Sequence, residues 1–244
     1  MLTQLEIVNG LLSTIVVVIS ITTGVRMMLK YKTHKQRVFI FFGITWAGMC
    51  TIYIPLVISF WGLVLFRQGL TLFWYLFIDS FVPLIITVAV MAWTELLFKK
   101  YQKQLVGLMC IQSAIVCVFF FYNTFMNPPM LGSLEGHIVI RYSFFTLLYL
   151  TATAILAFVT GTIFYINSRD APEPEVRLKG LLIWIAFISF FTGTLLDGFL
   201  PISMASVHIS RFALIFGSIA FFFGFFPPKF AQEYVKQRVK NKKM

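Results

Sequence analysis

Apolar residues run through this chain in seven stretches, over 8–29, 38–66, 70–98, 104–126, 141–166, 180–203 and 207–226, with short polar segments between them. An α-helix needs about 20 residues to cross a hydrocarbon core of about 30 Å, and each stretch meets that length. The second and fourth contain no Asp, Glu, Lys or Arg. Membrane β-strands would be only about ten residues long and would alternate apolar and polar positions, so helices are the expected element. The pattern predicts an all-α, polytopic membrane protein with a single seven-helix transmembrane domain over 1–226 and a basic tail over 227–244.

Composition agrees: 59% of the 244 residues are hydrophobic, 12% are charged, and the mean hydropathy is +0.87. The charge is more informative where it is uneven. Seventeen of the 20 Lys and Arg flank the first, third and fifth connections or follow the seventh stretch, leaving Arg67, Arg141 and Arg211 elsewhere. By the positive-inside rule the N-terminus is expected outside and the C-terminus in the cytoplasm, in the plasma membrane. The opening MLTQLEIVNG has no basic segment before its apolar run, so a retained first span is expected rather than a cleaved signal. The formal net charge of +11 then meets anionic lipid headgroups at the cytoplasmic face, and nucleic acid is not expected as a partner. The tail KFAQEYVKQRVKNKKM is expected to lie along that surface.

The short loops leave no room for a catalytic domain, so any signalling output is expected through a cytoplasmic partner. Within the spans there is no nucleophile paired with a base and no phosphate-cradling glycine loop, and enzymatic activity is not expected. Cys50 falls in span two and Cys110 with Cys117 in span four, while His34, His137 and His208 are scattered. Neither an outer disulfide nor a metal site is expected, and no cofactor is implied.

Ionisable groups inside hydrocarbon are costly and therefore informative. Away from the inner ends of the spans and from Arg141 at the edge of the fifth, these are Asp79 in the third, Asp197 in the sixth, and His208 and Arg211 in the seventh. Counting about 1.5 Å per residue from the expected outer ends places Asp79 about 14 Å deep, Asp197 about 9 Å and Arg211 about 6 Å. Arg211 is expected to pair with one of the two aspartates. One reading ends there, with a pair that fixes helix register. The other has both carboxylates and the guanidinium, with Tyr75, Trp74 and His208 nearby in depth, lining an outward-facing cavity that takes a small ligand or ion. Glu95 reads as an interfacial partner of Lys99. In span five, Tyr142, Thr146, Tyr149, Thr153 and Thr160 fall on one helical face, which is either a cavity wall or ordinary interhelical hydrogen bonding.

Two segments are alike: Ile78-Asp-Ser-Phe-Val-Pro-Leu and Leu196-Asp-Gly-Phe-Leu-Pro-Ile. In each, the proline four residues after the aspartate cannot donate to the aspartate's carbonyl, so a kink and a freed oxygen are expected beside each carboxylate. If the likeness reflects a repeat, spans one to three and four to six would be inverted copies, as in secondary transporters.

Seven helices with the N-terminus outside resemble, in plan, microbial rhodopsins and G-protein-coupled receptors, and the resemblance covers nearly the whole chain. It does not extend to their chemistry. The seventh span, HISRFALIFGSIAFFFGFF, has no lysine for a retinal Schiff base, span three ends Thr-Glu-Leu-Leu-Phe-Lys-Lys rather than in an acidic-Arg-Tyr motif, and span seven lacks Asn-Pro-x-x-Tyr. In outline the chain is also similar to compact seven-helix input modules of prokaryotic sensors, with Gly224-Phe-Phe-Pro-Pro closing the last helix. The expectation is a sensor-like or receptor-like protein with Asp79 as anionic anchor. Its rival is a small proton- or cation-coupled carrier using Asp79 and Asp197 as alternately protonated sites.

Overall fold

The structure, a computed structural model, describes residues 2–227; the expected amphipathic tail lies outside the described residues. Among the described residues, nine α-helices form seven segments long and apolar enough to cross a membrane. They are α1 (Gln4–His34), α2 (Val38–Met49) with α3 (Ile54–Phe66), α4 (Leu72–Asp79) with α5 (Val82–Leu97), α6 (Gln102–Met126), α7 (Phe144–Arg169), α8 (Pro174–Phe199) and α9 (Met204–Phe225). An antiparallel hairpin, β1 (Gly132–Glu135) and β2 (Val139–Tyr142), joins α6 to α7. The chain is thus all-α in its spans, with one unexpected strand pair between them.

Local chemistry sets the boundaries. At the start of α1, the Thr3 hydroxyl accepts the Glu6 N–H while the Glu6 carboxylate accepts the Thr3 N–H at 2.8 Å, a reciprocal cap. Ser203 and Ser206 make the same arrangement before α9. Span two is interrupted near mid-length, and span three nearer its start. Pro55, at the start of α3, cannot donate to the Thr51 carbonyl, and the chain passes through a 3₁₀ turn at Thr51–Tyr53. Pro83 does the same to Asp79, separating α4 from α5. Helix α6 bonds to the backbone around that second break: the Ser113 hydroxyl donates to the Pro83 carbonyl at 2.7 Å and the Cys117 thiol to the Ser80 carbonyl at 3.4 Å.

The segments form a ring in chain order. Helix α6 packs on α5, α5 on α2, α2 on α1, α1 on α9, α9 on α8 and α8 on α7, so α6 and α7 are the two ends of an almost closed circle. At the lysine-rich end the core is aromatic. The Trp46 ring stacks on Phe221 at 3.5 Å, and Phe42 sets its edge on Trp93 at 4.9 Å. Helices α1 and α2 touch there because Gly24 and Gly43 face each other; a Cβ on Gly24 would lie 2.5 Å from the Gly43 carbonyl oxygen. The Lys30 ammonium donates to the Phe225 carbonyl at 2.6 Å, at the C-terminus of α9 where the helix dipole favours a cation.

At the opposite end the hairpin lies across α1, α3 and α4. Glu6 accepts the His137 N–H at 2.7 Å, the Ser59 hydroxyl donates to the His137 carbonyl at 3.4 Å, and the Tyr75 hydroxyl donates to the Ile138 carbonyl at 3.0 Å. Gly136 turns the hairpin with φ +68°, and any Cβ there would come within 2.7 Å of the Glu6 carboxylate.

Two expectations from the paired Asp-x-x-x-Pro segments are corrected. Pro83 interrupts its span, but α8 has already ended at Phe199, so Pro201 kinks nothing and sits in the connection to α9. Nor do the two halves mirror each other: span two is broken, whereas its supposed counterpart, α7, is continuous over Phe144–Arg169. Tyr142 also leaves the helical face assigned to it and belongs to β2.

Candidate functional site

Arg211 lies two turns into α9 and is 4% exposed. Its Nε donates to Asn9 Oδ1 at 3.0 Å and Ser13 Oγ at 2.8 Å, both on α1, and its Nη1 pairs with Asp197 Oδ2 on α8. The guanidinium carbon stands 4.7 Å over the Tyr53 ring, and the Tyr53 hydroxyl donates to the same Asp197 oxygen at 3.0 Å. Tyr53 reaches the site because the 3₁₀ turn in span two ends there. Four separate segments therefore converge on one guanidinium and one carboxylate. The question of which aspartate pairs with Arg211 is answered: it is Asp197.

Asp79 takes a different partner. Tyr142, carried by β2, donates to Asp79 Oδ2 at 2.7 Å, and among the described residues no cation pairs with Asp79. The other oxygen, Oδ1, is buried without a hydrogen-bond partner among the described residues. Burial, and then the Asp79 carboxyl beside it, push the Tyr142 phenol well above its usual range, so it remains a donor at neutral pH.

A cavity of about 700 Å³ lies between α5, α7 and α8 and runs toward the hairpin. Asn9, Tyr53, Tyr142, Asp197 and Arg211 line it, so the polar cluster is part of its wall. Glu135 and Arg141, which pair at 2.8 Å, stand at its mouth, while Trp93 and Phe187 lie at the far end. The Asp197 side chain keeps 24% of its surface exposed, and both its contacts use Oδ2, leaving Oδ1 unengaged among the described residues.

The six residues singled out from the sequence separate accordingly. Asp197 and Arg211 meet on the cavity wall. Asp79 lies behind Tyr142 and does not line the cavity. Tyr75 is fully buried and serves the hairpin through Ile138. Trp74, its neighbour in sequence, turns the other way and is 48% exposed on the outer surface. His208 faces the Met204 carbonyl at 2.6 Å and the Phe212 ring, away from the cluster one turn further on.

Depth also shifts. Because α8 stops at Phe199, Asp197 is only about 3 Å from its helix end, and because α9 starts at Met204, Arg211 is about 10 Å from its own. Sequence reasoning missed Asn9, Ser13 and Tyr53. A signal existed for each: Asn9 and Ser13 are spaced i, i+4 in an otherwise apolar helix, and Tyr53 stands two residues before a mid-span proline.

On the far wall, Thr151, Thr153 and Thr160 of α7 and Thr194 of α8 all line the cavity, yet each hydroxyl donates to a carbonyl of its own helix at 2.8 to 3.0 Å. They therefore present methyl groups and leave that wall apolar. Thr146 and Tyr149 belong elsewhere: Tyr149 packs on Phe120 of α6. Among the described residues no group of His, Cys, Asp and Glu is placed to hold a metal ion.

No protein family, curated protein or solved structure matches this chain.

Proposed function

We propose that the chain is a sensor-like or receptor-like protein of the plasma membrane that binds a small ligand in an outward-facing cavity. The observation that carries this reading is the cavity of about 700 Å³ with a charge-balanced cluster at one end. Its size falls in the range of small-molecule pockets, and a few convergent polar groups over apolar walls are what orients a ligand. The distribution of Lys and Arg supports placing the hairpin end outside. A route for the output exists in the aromatic core: Trp93 and Phe187 close the cavity and pack at 5.4 Å, and Phe187 meets Phe221 near the end of α9. That end would face a cytoplasmic partner.

One observation favours a carrier as the second reading. The two broken segments put Tyr53 and Asp79 at breaks in membrane-length helices, an arrangement that transporters use for coupled ions.

Proteoliposomes distinguish the two. A binding protein stays silent under pH and voltage gradients, for wild type and for Asp197→Asn alike. Proton or alkali-cation flux lost on Asp197→Asn or Asp79→Asn would establish the carrier. Terminal tags in intact cells test the orientation: only an N-terminal tag should be accessible, and an accessible C-terminal tag would overturn it.

A further inference from the structure

We propose that the ligand is an uncharged, hydroxyl-bearing amphiphile with a single hydrocarbon chain, its chain along the slot between α5, α7 and α8 and its head beside Asp197 and Tyr53. This rests on the reading of the cavity as a binding site. Three observations define the chemistry.

The first is length. The cavity wall runs from Phe144 to Thr160 on α7, from Phe187 to Phe199 on α8 and from Val82 to Trp93 on α5. At about 1.5 Å per residue these are roughly 24, 18 and 16 Å, a slot parallel to the helices and as long as one leaflet's share, about 15 Å, of the hydrocarbon core. A volume of about 700 Å³ over about 20 Å leaves a cross-section on the order of 35 Å², which accommodates a hydrocarbon chain along its length.

The second is the wall. Ile86, Ala89, Leu150, Ala154 and Phe190 line the slot, and the threonine hydroxyls of α7 and α8 among them are occupied by their own helices. Apart from the Thr45 hydroxyl of α2, which lines the slot and has no hydrogen-bond partner among the described residues, a polar body finds little to bond along this length.

The third is the charge at the head end. Arg211 is matched by Asp197 and Arg141 by Glu135, so neither an anionic nor a cationic head finds an unmatched opposite charge. What remains are acceptors for a neutral hydroxyl-bearing group: Asp197 Oδ1 and the phenol oxygens of Tyr53 and Tyr142, whose protons are already given to carboxylates. A hydroxyl donating to Asp197 Oδ1 satisfies the geometry without disturbing either ion pair.

The test uses the full chain in nanodiscs with 1-oleoylglycerol as the probe, read by thermal stabilisation and by native mass spectrometry. Oleate, oleyltrimethylammonium and glycerol are the comparison ligands. The expected result is binding of 1-oleoylglycerol, at least tenfold weaker binding of both charged analogues, and none of glycerol. Ala154→Phe and Ala89→Leu fill the slot from opposite walls without touching the head cluster. Whichever variant keeps a cooperative unfolding transition should lose at least tenfold in affinity. Equal binding of either charged analogue, equal binding of glycerol, or undiminished binding by a folded slot-filling variant overturns the proposal. If no amphiphile binds, the proposal fails as well, and Thr153→Cys then separates the two readings. Reaction of that thiol with a water-soluble reagent leaves the cavity standing and only the ligand class wrong. An unreactive thiol removes the outward-facing cavity too.

Discussion

Asp79 and Asp197 sit in nearly the same local sequence and meet opposite fates. Each is followed by a small residue, Phe, an aliphatic residue and Pro. In span three the proline falls inside the membrane-length segment, breaks it, and leaves Asp79 at a buried joint held by one tyrosine. In span six the helix has ended before the proline, and Asp197 is left near a helix terminus, partly exposed and paired with Arg211. The comparison teaches that a motif of seven residues fixes the backbone option at a carboxylate but not its environment. The partners come from α1, α9, β2 and the break in span two, all distant in sequence.

Removing Arg211 should separate the two aspartates most. Arg211→Met leaves Asp197, Asn9 and Ser13 without the cation that joins them, and thermal unfolding in detergent should show a loss of about 3–5 kcal/mol. Pairing it with Asp197→Leu should recover more than half of that loss, because no uncompensated charge remains. A double variant as unstable as the sum of its parts would mean that the two residues do not form a pair.

The conservative amides come next. Asp197→Asn keeps the shape but leaves Arg211 a buried cation facing a neutral acceptor, a loss of about 2–3 kcal/mol. Asp79→Asn loses no ionic partner and keeps an acceptor for Tyr142, so its unfolding temperature should change by the equivalent of less than about 1 kcal/mol. Equal losses would erase the contrast.

Deleting the tyrosine hydroxyls inverts the order. Tyr142→Phe removes the side-chain bond that Asp79 makes among the described residues and should cost about 1–3 kcal/mol, whereas after Tyr53→Phe Asp197 still has Arg211, and about 1 kcal/mol is expected. Chemical denaturation of both variants measures the difference. The prolines give the smallest effects. Pro83→Ala should lower stability by about 0.5–1 kcal/mol, since Pro83 occupies the first turn of α5, where its fixed φ is favourable. Pro201→Ala, outside any helix, should stay within about 0.5 kcal/mol.

How much of this was legible in the sequence depends on the range over which the signal acts. Hydropathy is local, and the seven spans were placed within a few residues of their observed bounds, with exposed polar ends extended by capping at Thr3 and Ser203. The intramembrane Arg and one of its candidate partners could be named because charge in hydrocarbon demands compensation. The hairpin could not: Gly132–Glu135 and Val139–Tyr142 are four residues each, shorter than any periodicity can resolve, and they moved Tyr142 from a helix to a strand. Trp74 and Tyr75 were grouped by depth alone, yet one residue on a helix is a turn of about 100°, which put one ring outward and the other in the core. The polar face of α7 was visible, but not that its hydroxyls bond back to their own helix. Asn9 and Ser13 stand out less in the sequence because a neutral amide or hydroxyl in a span costs far less than a charge.

The central claim is that the Arg211–Asp197–Tyr53 cluster faces an outward-open cavity and that Asp79 does not. Thr194 lines that cavity about one turn from Asp197, while Thr87 is buried against Ser113 of α6 on the Asp79 side. Cysteines introduced one at a time at these positions, in a chain with Cys110 replaced by serine and the buried Cys50 and Cys117 kept, should be treated in intact cells with a membrane-impermeant thiol reagent. The account predicts rapid labelling of Thr194→Cys and protection of Thr87→Cys. Protection of both, or labelling of Thr194→Cys only after the membrane is opened, would contradict it.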